Sequence, residues 1–147
     1  TKPKPTDKEN LEGQEKEEFL KGAEIAYETI ITAFAKGEKD KLKGLLSDTM
    51  TLNFEQAITQ RNKDQIKSEL TFIGIKESSL EKYEKVKNSF SARVKFVSEI
   101  ISVKKDKNNE IIDGNPDRIK TVTDYWVFTK SAFSKNPNWH LSEISSK

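Results

Sequence analysis

The stretch Phe90–Val103, FSARVKFVSEIISV, constrains the fold of this chain most strongly. Apolar and polar residues alternate strictly from Phe90 to Phe96. Because successive side chains of a β-strand point to opposite faces of a sheet, this alternation predicts a half-buried strand. It fails after Phe96, where the next apolar residues no longer share one face. Either both faces of the strand are covered there, or a β-bulge near Ser98–Ile101 bends it and opens a pocket against a helix.

The composition indicates one folded domain with a small apolar core. The chain has 147 residues, of which 33% are hydrophobic and 34% charged, and such a length fits a single domain. A net charge of +2 gives little reason to expect a nucleic-acid partner. Because cysteine is absent, disulfides, thiolate nucleophiles and cysteine-based metal sites are excluded.

The sequence shows neither a membrane-spanning helix nor a signal peptide. No apolar run approaches the ~18 residues that a transmembrane helix requires, and the first residues lack the signal-peptide pattern. The chain begins at Thr1 rather than at a methionine. We expect a processed product or an excised soluble fragment, with a targeting or membrane segment able to precede it.

Residues 1–18 and the residues that follow differ sharply in composition. The first stretch holds one aliphatic residue, Leu11, among dense mixed charge, which is typical of a flexible linker. From about Glu15 the spacing of apolar residues becomes helical and continues to Phe34, with Gly37 placed as a left-handed cap. We therefore predict a charged flexible linker over residues 1–18 and a single domain over residues 19–147.

Two shorter helices and four antiparallel strands are predicted after the first helix. The helices span roughly Glu38–Leu46 and Thr49–Asn62, with Ser47, Asp48 or Thr49 as the cap of the second. Leu70–Ile75 opens the sheet and extends as an edge toward Val86, before a turn at Asn88-Ser89. The later strands are Phe90–Val103, Arg118–Lys130 and Trp139–Ile144, with a brief return at Ile111-Ile112 between two turns. This order predicts an α+β domain whose helices cover one face of a curved four-stranded antiparallel sheet.

Asp113, Asn115 and Asp117 imitate the start of a calcium-binding loop. Such a loop requires glycine at its sixth position and a bidentate glutamate at its twelfth. Arg118 and Asp124 occupy those positions here, and Pro116 restricts the backbone further. A hairpin turn is the favoured interpretation.

Asp124 is the candidate general base. In VTDYWVF it alternates onto the same face as Trp126 and Phe128, and burial among aromatic side chains raises the pKa of a carboxyl group. The more ordinary interpretation is that Asp124 accepts a hydrogen bond from a tryptophan or tyrosine.

His140 and the tip Lys104–Glu110 are the remaining candidates. His140 is the only histidine, so a metal site lacks partner ligands, and a His140–Asp124 general-base pair is open but not required by the alternation. The sequence Lys104-Lys105-Asp106-Lys107 is typical of a solvated hairpin, although it also suits anionic lipid headgroups.

Several stretches together resemble one family, the Tim44-like domain, over about residues 19–144. The resembling stretches are FLKGAEIAYETIITAFAKGEKDKL (Phe19–Leu42), FEQAITQR (Phe54–Arg61), LTFIGIK (Leu70–Lys76), VKFVSEI (Val94–Ile100), IIDGNPD (Ile111–Asp117), VTDYWVF (Val122–Phe128) and NPNWHL (Asn136–Leu141). Each motif is weak alone, but their order and spacing are specific.

The resemblance implies a cone like that of nuclear transport factor two, with a cystatin-like arrangement of three N-terminal helices on a four-stranded antiparallel sheet. This family includes the C-terminal domain of the mitochondrial inner-membrane subunit that recruits the import motor, alpha-proteobacterial relatives and a mitochondrial ribosomal protein. Its members are scaffolds of protein translocation, and no catalytic residues are attributed to the domain. The resemblance therefore implies no enzyme activity and no cofactor.

We accordingly expect a non-catalytic, membrane-peripheral scaffold domain with an apolar pocket for lipid or a partner segment. Its partners are expected in a translocation or envelope complex, with anionic phospholipid as a further candidate, no DNA, and RNA not favoured. The expected location is the cytoplasmic face of a bacterial inner membrane, tethered through an upstream segment, or the matrix side of the mitochondrial inner membrane in a eukaryote. An isomerase- or dehydratase-type enzyme with Asp124 as base and a ribosome-associated structural domain are the alternatives. The expected pocket residues are Tyr27, Ile31, Phe54, Phe72, Phe96, Ile100, Trp126 and Phe128.

Overall fold

The computed structural model describes residues 10–133 and 138–145. Within these residues, three helices precede five β-strands. Their bounds are α1 (Gly13–Lys36), α2 (Lys39–Leu42), α3 (Asp48–Lys63), β1 (Lys67–Val86), β2 (Ser89–Lys105), β3 (Ile111–Gly114), β4 (Lys120–Ser131) and β5 (His140–Ser145).

The strands form one antiparallel sheet, which confirms the predicted α+β architecture. The neighbours run in the order β1-β2-β4-β5, and β3 pairs with the end of β2. The described sheet thus has five strands rather than the predicted four, because the brief return at Ile111 continues as a strand to Gly114. Gly114 has a φ of 85° and passes so close to Ser102 that a Cβ would overlap the carbonyl oxygen of that residue.

Helix α1 crosses the sheet and supplies much of the core. Its buried residues include Ala23, Tyr27 and Ile30, which share one helical face. Gly37 ends the helix with a φ of 75°, as its predicted cap role requires, and its N–H bonds the carbonyl of Phe34 at 3.1 Å. The helix begins at Gly13, so residues 13–18, which the sequence assigns to the linker, are helical.

The second and third helices close one edge of the sheet. Helix α2 ends at Leu42 instead of continuing to Leu46, because the chain turns at Gly44 with a φ of 86°. Ser47, one of the three predicted candidates, caps α3 through its Oγ, which accepts a hydrogen bond from the N–H of Met50 at 3.3 Å. The turn before α3 also pairs with β5, since the N–H of Leu141 donates to the carbonyl of Leu45 at 2.8 Å.

The bulge predicted in the central strand is found in its neighbour instead. Strand β1 uses 20 residues opposite the 17 residues of β2, and the extra residues are Ile73, Lys76 and Glu81. Strand β2 pairs with β4 without a shift from Ser89 to Ile100. The prediction of a bulge near Ser98–Ile101 is therefore wrong, and bending of the sheet is assigned to β1.

Ser98 explains why the alternation of apolar and polar residues in the central strand ends after Phe96. Its side chain is fully buried and continues the phase of Phe96, so a polar residue occupies a core position. On the other face, Val97 and Ile101 are half-buried and Val103 is buried. The alternative in which both faces of the strand are covered is thus the one that forms.

Candidate functional site

Five of the six aromatic residues expected to line a pocket are brought together at the centre of the domain. The Tyr27 and Phe96 rings stack with centroids 4.3 Å apart, and Trp126 lies 4.6 Å from Tyr27. Phe72 and Phe128 complete the cluster at 6.2 Å from Tyr27 and 6.4 Å from Phe96. These rings fill the space between α1 and the sheet, and a ligand-binding role for the expected set stays a prediction.

The other expected residues lie away from this aromatic cluster or at its edge. Phe54 packs on Phe34, with ring centroids 4.9 Å apart, between α3 and α1. Ile31 lines a separate hollow near the end of α1. Ile100 is half-buried and pairs with Phe72 across β1 and β2.

A buried polar chain crosses the aromatic cluster. The Tyr27 hydroxyl donates to Oδ2 of Asp124 at 2.6 Å and lies 2.9 Å from Oγ of Ser98. Since its single proton is directed at Asp124, the Ser98 hydroxyl is the donor of the second bond. Burial raises the pKa of Tyr27, and the hydrogen bond to the Asp124 carboxylate raises it further. The interpretation of Asp124 as an acceptor from a tyrosine is confirmed.

The open site lies beyond this cluster, beside the first half of α1. A cavity of about 640 Å³ lies there, within the size range of ordinary ligand pockets. We call it the aromatic cavity. It is lined by Leu11, Glu15, Glu18, Phe19, Gly22, Ala23, Ala26, Gly44, Leu45, Tyr83, Phe128, Lys130, Asn138 and Trp139.

Three elements place aromatic walls around the aromatic cavity. Phe19 of α1 contacts Trp139 at 5.0 Å and Phe128 of β4 at 6.3 Å between ring centroids. Tyr83 of β1 lies 6.2 Å from Trp139. Such edge-on contacts hold the rings in fixed orientations and leave a wide apolar surface facing the space.

Charged groups mark the margin of the same cavity. Lys130 Nζ lies 5.2 Å from the centroid of the Trp139 ring, a cation–π distance, and burial lowers the pKa of Lys130. Burial raises the pKa of Tyr83, and the nearby carboxylate of Glu15 adds to that shift. Among the described lining residues, an occupant therefore meets apolar walls with the cation of Lys130 and the carboxylates of Glu15 and Glu18 at the margin.

The sequence interpretation missed most of this cavity. Of the expected pocket residues, Phe128 alone is among its lining residues. The available signal was Gly22, a glycine inside an otherwise regular helical stripe, where a missing side chain leaves room against the sheet. Trp139 follows residues that the structure does not describe, and its approach to Phe19 depends on tertiary packing.

The polar candidates at the hairpins form turns and solvated tips. Oδ1 of Asn115 accepts a hydrogen bond from the N–H of Asp117 at 2.8 Å, as in the favoured turn interpretation. Oδ1 of Asp106 accepts from the N–H groups of Asn108 and Glu110 in the same way. In the described part of the chain, no group of three His, Asp or Glu side chains is placed to hold a metal ion.

His140 and Asp124 are not brought together. His140 pairs with Thr129 on β4, whereas Asp124 pairs with Phe96 on β2. Five residues of β4 separate the two positions, which is about 17 Å along an extended strand. A general-base pair of these two residues is therefore wrong.

Comparisons with known proteins identify a family and a similar fold. The profile of the Tim44-like domain family matches residues 11–146. The solved intermembrane space region of the chloroplast protein ARC6 is similar with a TM-score of 0.56 and 13% identity, covering 86% of this chain and 94% of that one. At such low identity the likeness shows a shared fold alone. No curated protein matches the chain. Among the described helices, none is both long enough and apolar enough to cross a membrane.

Proposed function

The chain belongs to the Tim44-like domain family, and from that premise we propose that it is a non-catalytic interaction domain of a membrane-associated protein, whose aromatic cavity takes an apolar segment of a protein partner. The observation that carries this proposal is the aromatic cavity itself. Its volume of about 640 Å³ suits a few apolar side chains rather than a whole domain.

The chemistry of the walls supports a peptide segment as the occupant. Tyr and Trp side chains are enriched at protein–protein interfaces because they offer a large apolar area with a polar end. Tyr83 and Trp139 have this character, and Phe19 and Phe128 complete an apolar floor. The charges of Glu15 and Lys130 at the margin suit the polar backbone or flanking charges of a bound segment.

The position of Asp124 supports a role without catalysis. A general base needs a carboxylate within reach of a substrate proton. Here one oxygen of Asp124 holds the Tyr27 hydroxyl at 2.6 Å, and the ring of Tyr27 is fully buried. This arrangement joins α1 to β4 and gives Asp124 a structural role.

The setting we propose is the surface of an inner membrane, within a complex for protein translocation or envelope organisation. The resemblance described above implies family members in the mitochondrial import motor, and the solved region of ARC6, which is similar in fold, is an intermembrane space region. Tethering through an additional segment outside residues 1–147 belongs to this proposal. Both supports come from similar proteins rather than from residues of this chain.

A variant whose aromatic cavity is filled by an added side chain tests the proposed function. Peptides are first selected from a random displayed library on the full chain, and their affinity is measured by calorimetry. Gly22→Phe places a ring in the aromatic cavity, so we expect it to weaken the selected peptides at least about tenfold, or ~1.4 kcal/mol. Ile25→Phe adds a ring three residues away, at a side chain that is 69% exposed, and serves as the control. Equal affinities for the two variants would place the peptide site elsewhere.

A further inference from the structure

Lys130, a cation that lines the aromatic cavity, lies against aromatic rings. Its side chain extends from β4, with Nζ 5.2 Å from the centre of the Trp139 ring and 5.9 Å from that of the Phe90 ring. Phe90 is fully buried, and Lys130 itself is half-buried. The ammonium group is therefore partly removed from water, and this burial lowers the pKa of Lys130.

Within the part of the chain that the structure describes, no carboxylate forms an ion pair with Lys130. The ion pairs of the described lysines involve Lys41, Lys43, Lys67, Lys82, Lys95 and Lys105. Contacts with ring faces offset part of the hydration that Lys130 loses, but they give its three N–H donors no carboxylate acceptor. An anionic group of an occupant would supply the partner that a partly buried cation requires.

The carboxylates that line the described part of the aromatic cavity lie on the helix, whereas Lys130 lies on the sheet. Glu15 and Glu18 belong to the first turns of α1. Oε1 of Glu18 accepts a hydrogen bond from Nε2 of Gln14 at 3.2 Å, within the same helix. An occupant between α1 and β4 therefore has negative charge on one side and positive charge on the other. Such a lining selects for the order of charges along an occupant as well as for its apolar surface.

Tyr83 offers a hydroxyl group on the same side of the cavity as Lys130. Its ring stacks on Phe90 with centroids 6.0 Å apart, and Nζ of Lys130 lies against that same ring. Because the pKa of Tyr83 is raised, chiefly by burial, its hydroxyl keeps its proton and can donate a hydrogen bond. A carboxylate bound at Lys130 can therefore meet donors from two strands, β4 and β1.

On the basis of the proposed function, we propose that the protein segment held in the aromatic cavity carries an acidic side chain beside its apolar anchor, and that Lys130 recognises this carboxylate. The occupant is an internal segment of a protein partner, with a basic residue on the other flank of the anchor that faces Glu15 and Glu18. Charges of both signs in the lining favour a segment with both flanks over a chain end. A purely apolar segment would cover Lys130 without pairing it, which costs affinity.

Parallel peptide selections on three forms of the full chain test the role of Lys130. A displayed library of short random segments, each held between fixed Gly-Ser linkers, is selected on the native chain, on Lys130→Met and on Lys120→Met. Methionine keeps the unbranched apolar part of the lysine side chain and removes its charge. Lys120 is the control, because it is an exposed lysine at the start of the same strand, outside the lining of the aromatic cavity. We expect Asp or Glu beside a bulky apolar residue to be enriched on the native chain and on Lys120→Met but not on Lys130→Met.

A double-mutant cycle then measures the contact itself by calorimetry. The probe is the tightest peptide from the native chain that Gly22→Phe weakens, made with its acidic residue or with the matching amide. Lys130→Met and the amide peptide should each weaken binding about tenfold. Combined, they should again cost about tenfold rather than about a hundredfold, because both remove the same contact. Lys130→Arg keeps the charge and should stay within about threefold of the native chain.

The amide peptide tests the contact on the unaltered chain, so the result does not depend on the folding of Lys130→Met. Full affinity of the amide peptide, or losses that multiply to about a hundredfold, would overturn the role of Lys130. Loss of binding on amidation of the peptide C-terminus would assign the carboxylate to a chain end. Displacement of the peptide by dodecanoate at equal concentration would replace it with a fatty acid. Either result would contradict the proposed internal segment.

Failure of this inference and failure of the proposed function give different results. If Gly22→Phe weakens none of the selected peptides, the aromatic cavity is not their site, and both fail together. If Gly22→Phe weakens them while Lys130→Met and the amide peptide leave affinity unchanged, the cavity remains a peptide site and only the recognition of a carboxylate is wrong.

Discussion

At the scale of single residues, Tyr27 joins the two kinds of interaction that hold the interior together. Its ring stacks on Phe96, and its hydroxyl connects Ser98 with Asp124 across the sheet. The side chain is fully buried, so neither hydrogen bond is replaced by water when it is lost. The hydroxyl of Tyr27 therefore adds to the apolar packing that holds α1 against the sheet.

We expect Tyr27→Phe to lower the free energy of unfolding by about 1–3 kcal/mol. The ring packing is kept, while the fully buried Ser98 hydroxyl and one oxygen of Asp124 lose their partner. Urea denaturation measures the change. Tyr125→Phe is the matched control, because Tyr125 is half-buried with its ring 5.0 Å from the Arg93 guanidinium, and it should cost less than about 0.5 kcal/mol. Equal losses for the two variants would contradict this account of the polar chain.

The raised pKa of the Tyr27 hydroxyl predicts a loss of stability at high pH. The pKa of Tyr27 in the folded chain is raised above its ordinary value of 10.0, chiefly by burial, so the folded state holds the proton more tightly than the unfolded state. The stabilisation of the folded state that results from this raised pKa is complete below pH 10.0. It declines above that pH, by up to about 1.4 kcal/mol per pH unit. We expect the difference in unfolding free energy between the native chain and Tyr27→Phe to be constant below that pH and to shrink above it. A difference that stays constant through pH 11.5 would be evidence against the raised pKa.

At the scale of elements, β-bulges interrupt the pairing of β1 with β2 but not the pairing of β2 with β4. Strand β2 keeps an unbroken register with β4, and β1 carries the three extra residues. Because β1 ends the sheet, its bulges bend an edge without disturbing the centre, and they also hinder edge-to-edge association. The short strand β3 pairs with the end of β2, and at Gly114 the two strands leave no space for a Cβ.

We expect Gly114→Ala to be more damaging than Gly44→Ala. Both glycines have φ angles near 85°, so an added Cβ strains the backbone by about 1–2 kcal/mol in each case. At Gly114 the Cβ also overlaps the carbonyl of Ser102, which should add about 1–3 kcal/mol and release β3 from β2. Urea denaturation gives the two losses of unfolding free energy, and hydrogen exchange at the amides of β3 reports its pairing with β2. Similar losses of unfolding free energy for the two variants would mean that β3 separates from β2 without a cost in stability.

At the scale of the whole molecule, α1 lies over a filled centre with a hollow toward each of its ends. The aromatic cluster occupies the middle, the aromatic cavity lies beside Phe19 and Gly22, and two smaller hollows lie beside Ile31 and Lys36. Close packing of the centre holds the helix at a fixed distance from the sheet.

Deletion of residues 1–18 tests where the domain begins. Helix α1 starts at Gly13 and Glu15 lines the aromatic cavity, so we expect the truncated chain to melt about 3 °C lower or more, or roughly 1 kcal/mol. Deletion of residues 1–9, which leaves every described residue in place, is the control and should melt with the full chain. An unchanged melting temperature for both would support a linker that extends to residue 18.

The sequence by itself determined the order of helices and strands, because periodicity and caps are local properties. The stripe from Phe19 to Phe34, the caps at Gly37 and Ser47 and the alternation that begins at Phe90 all reflect contacts between near neighbours in the chain. Family resemblance then added the topology of the cone. Helix α1 starts at Gly13, two residues before the predicted start near Glu15, because its first residues are polar and carry little apolar periodicity.

Only the tertiary structure decided where side chains fill the interior of the domain and where cavities remain. Ser98 belongs to the core because Tyr27 reaches it from a helix 71 positions away, and a serine gives no sign of that in its own neighbourhood. Phe19, Tyr83 and Trp139 line one cavity because α1, β1 and the residue before β5 lie beside each other in the folded chain. Hollows depend on volume differences between distant side chains, whereas strands and helices depend on spacing along the chain. For that reason the alternating half of Phe90–Val103 predicted the sheet correctly, whereas of the expected pocket residues only Phe128 lines the aromatic cavity.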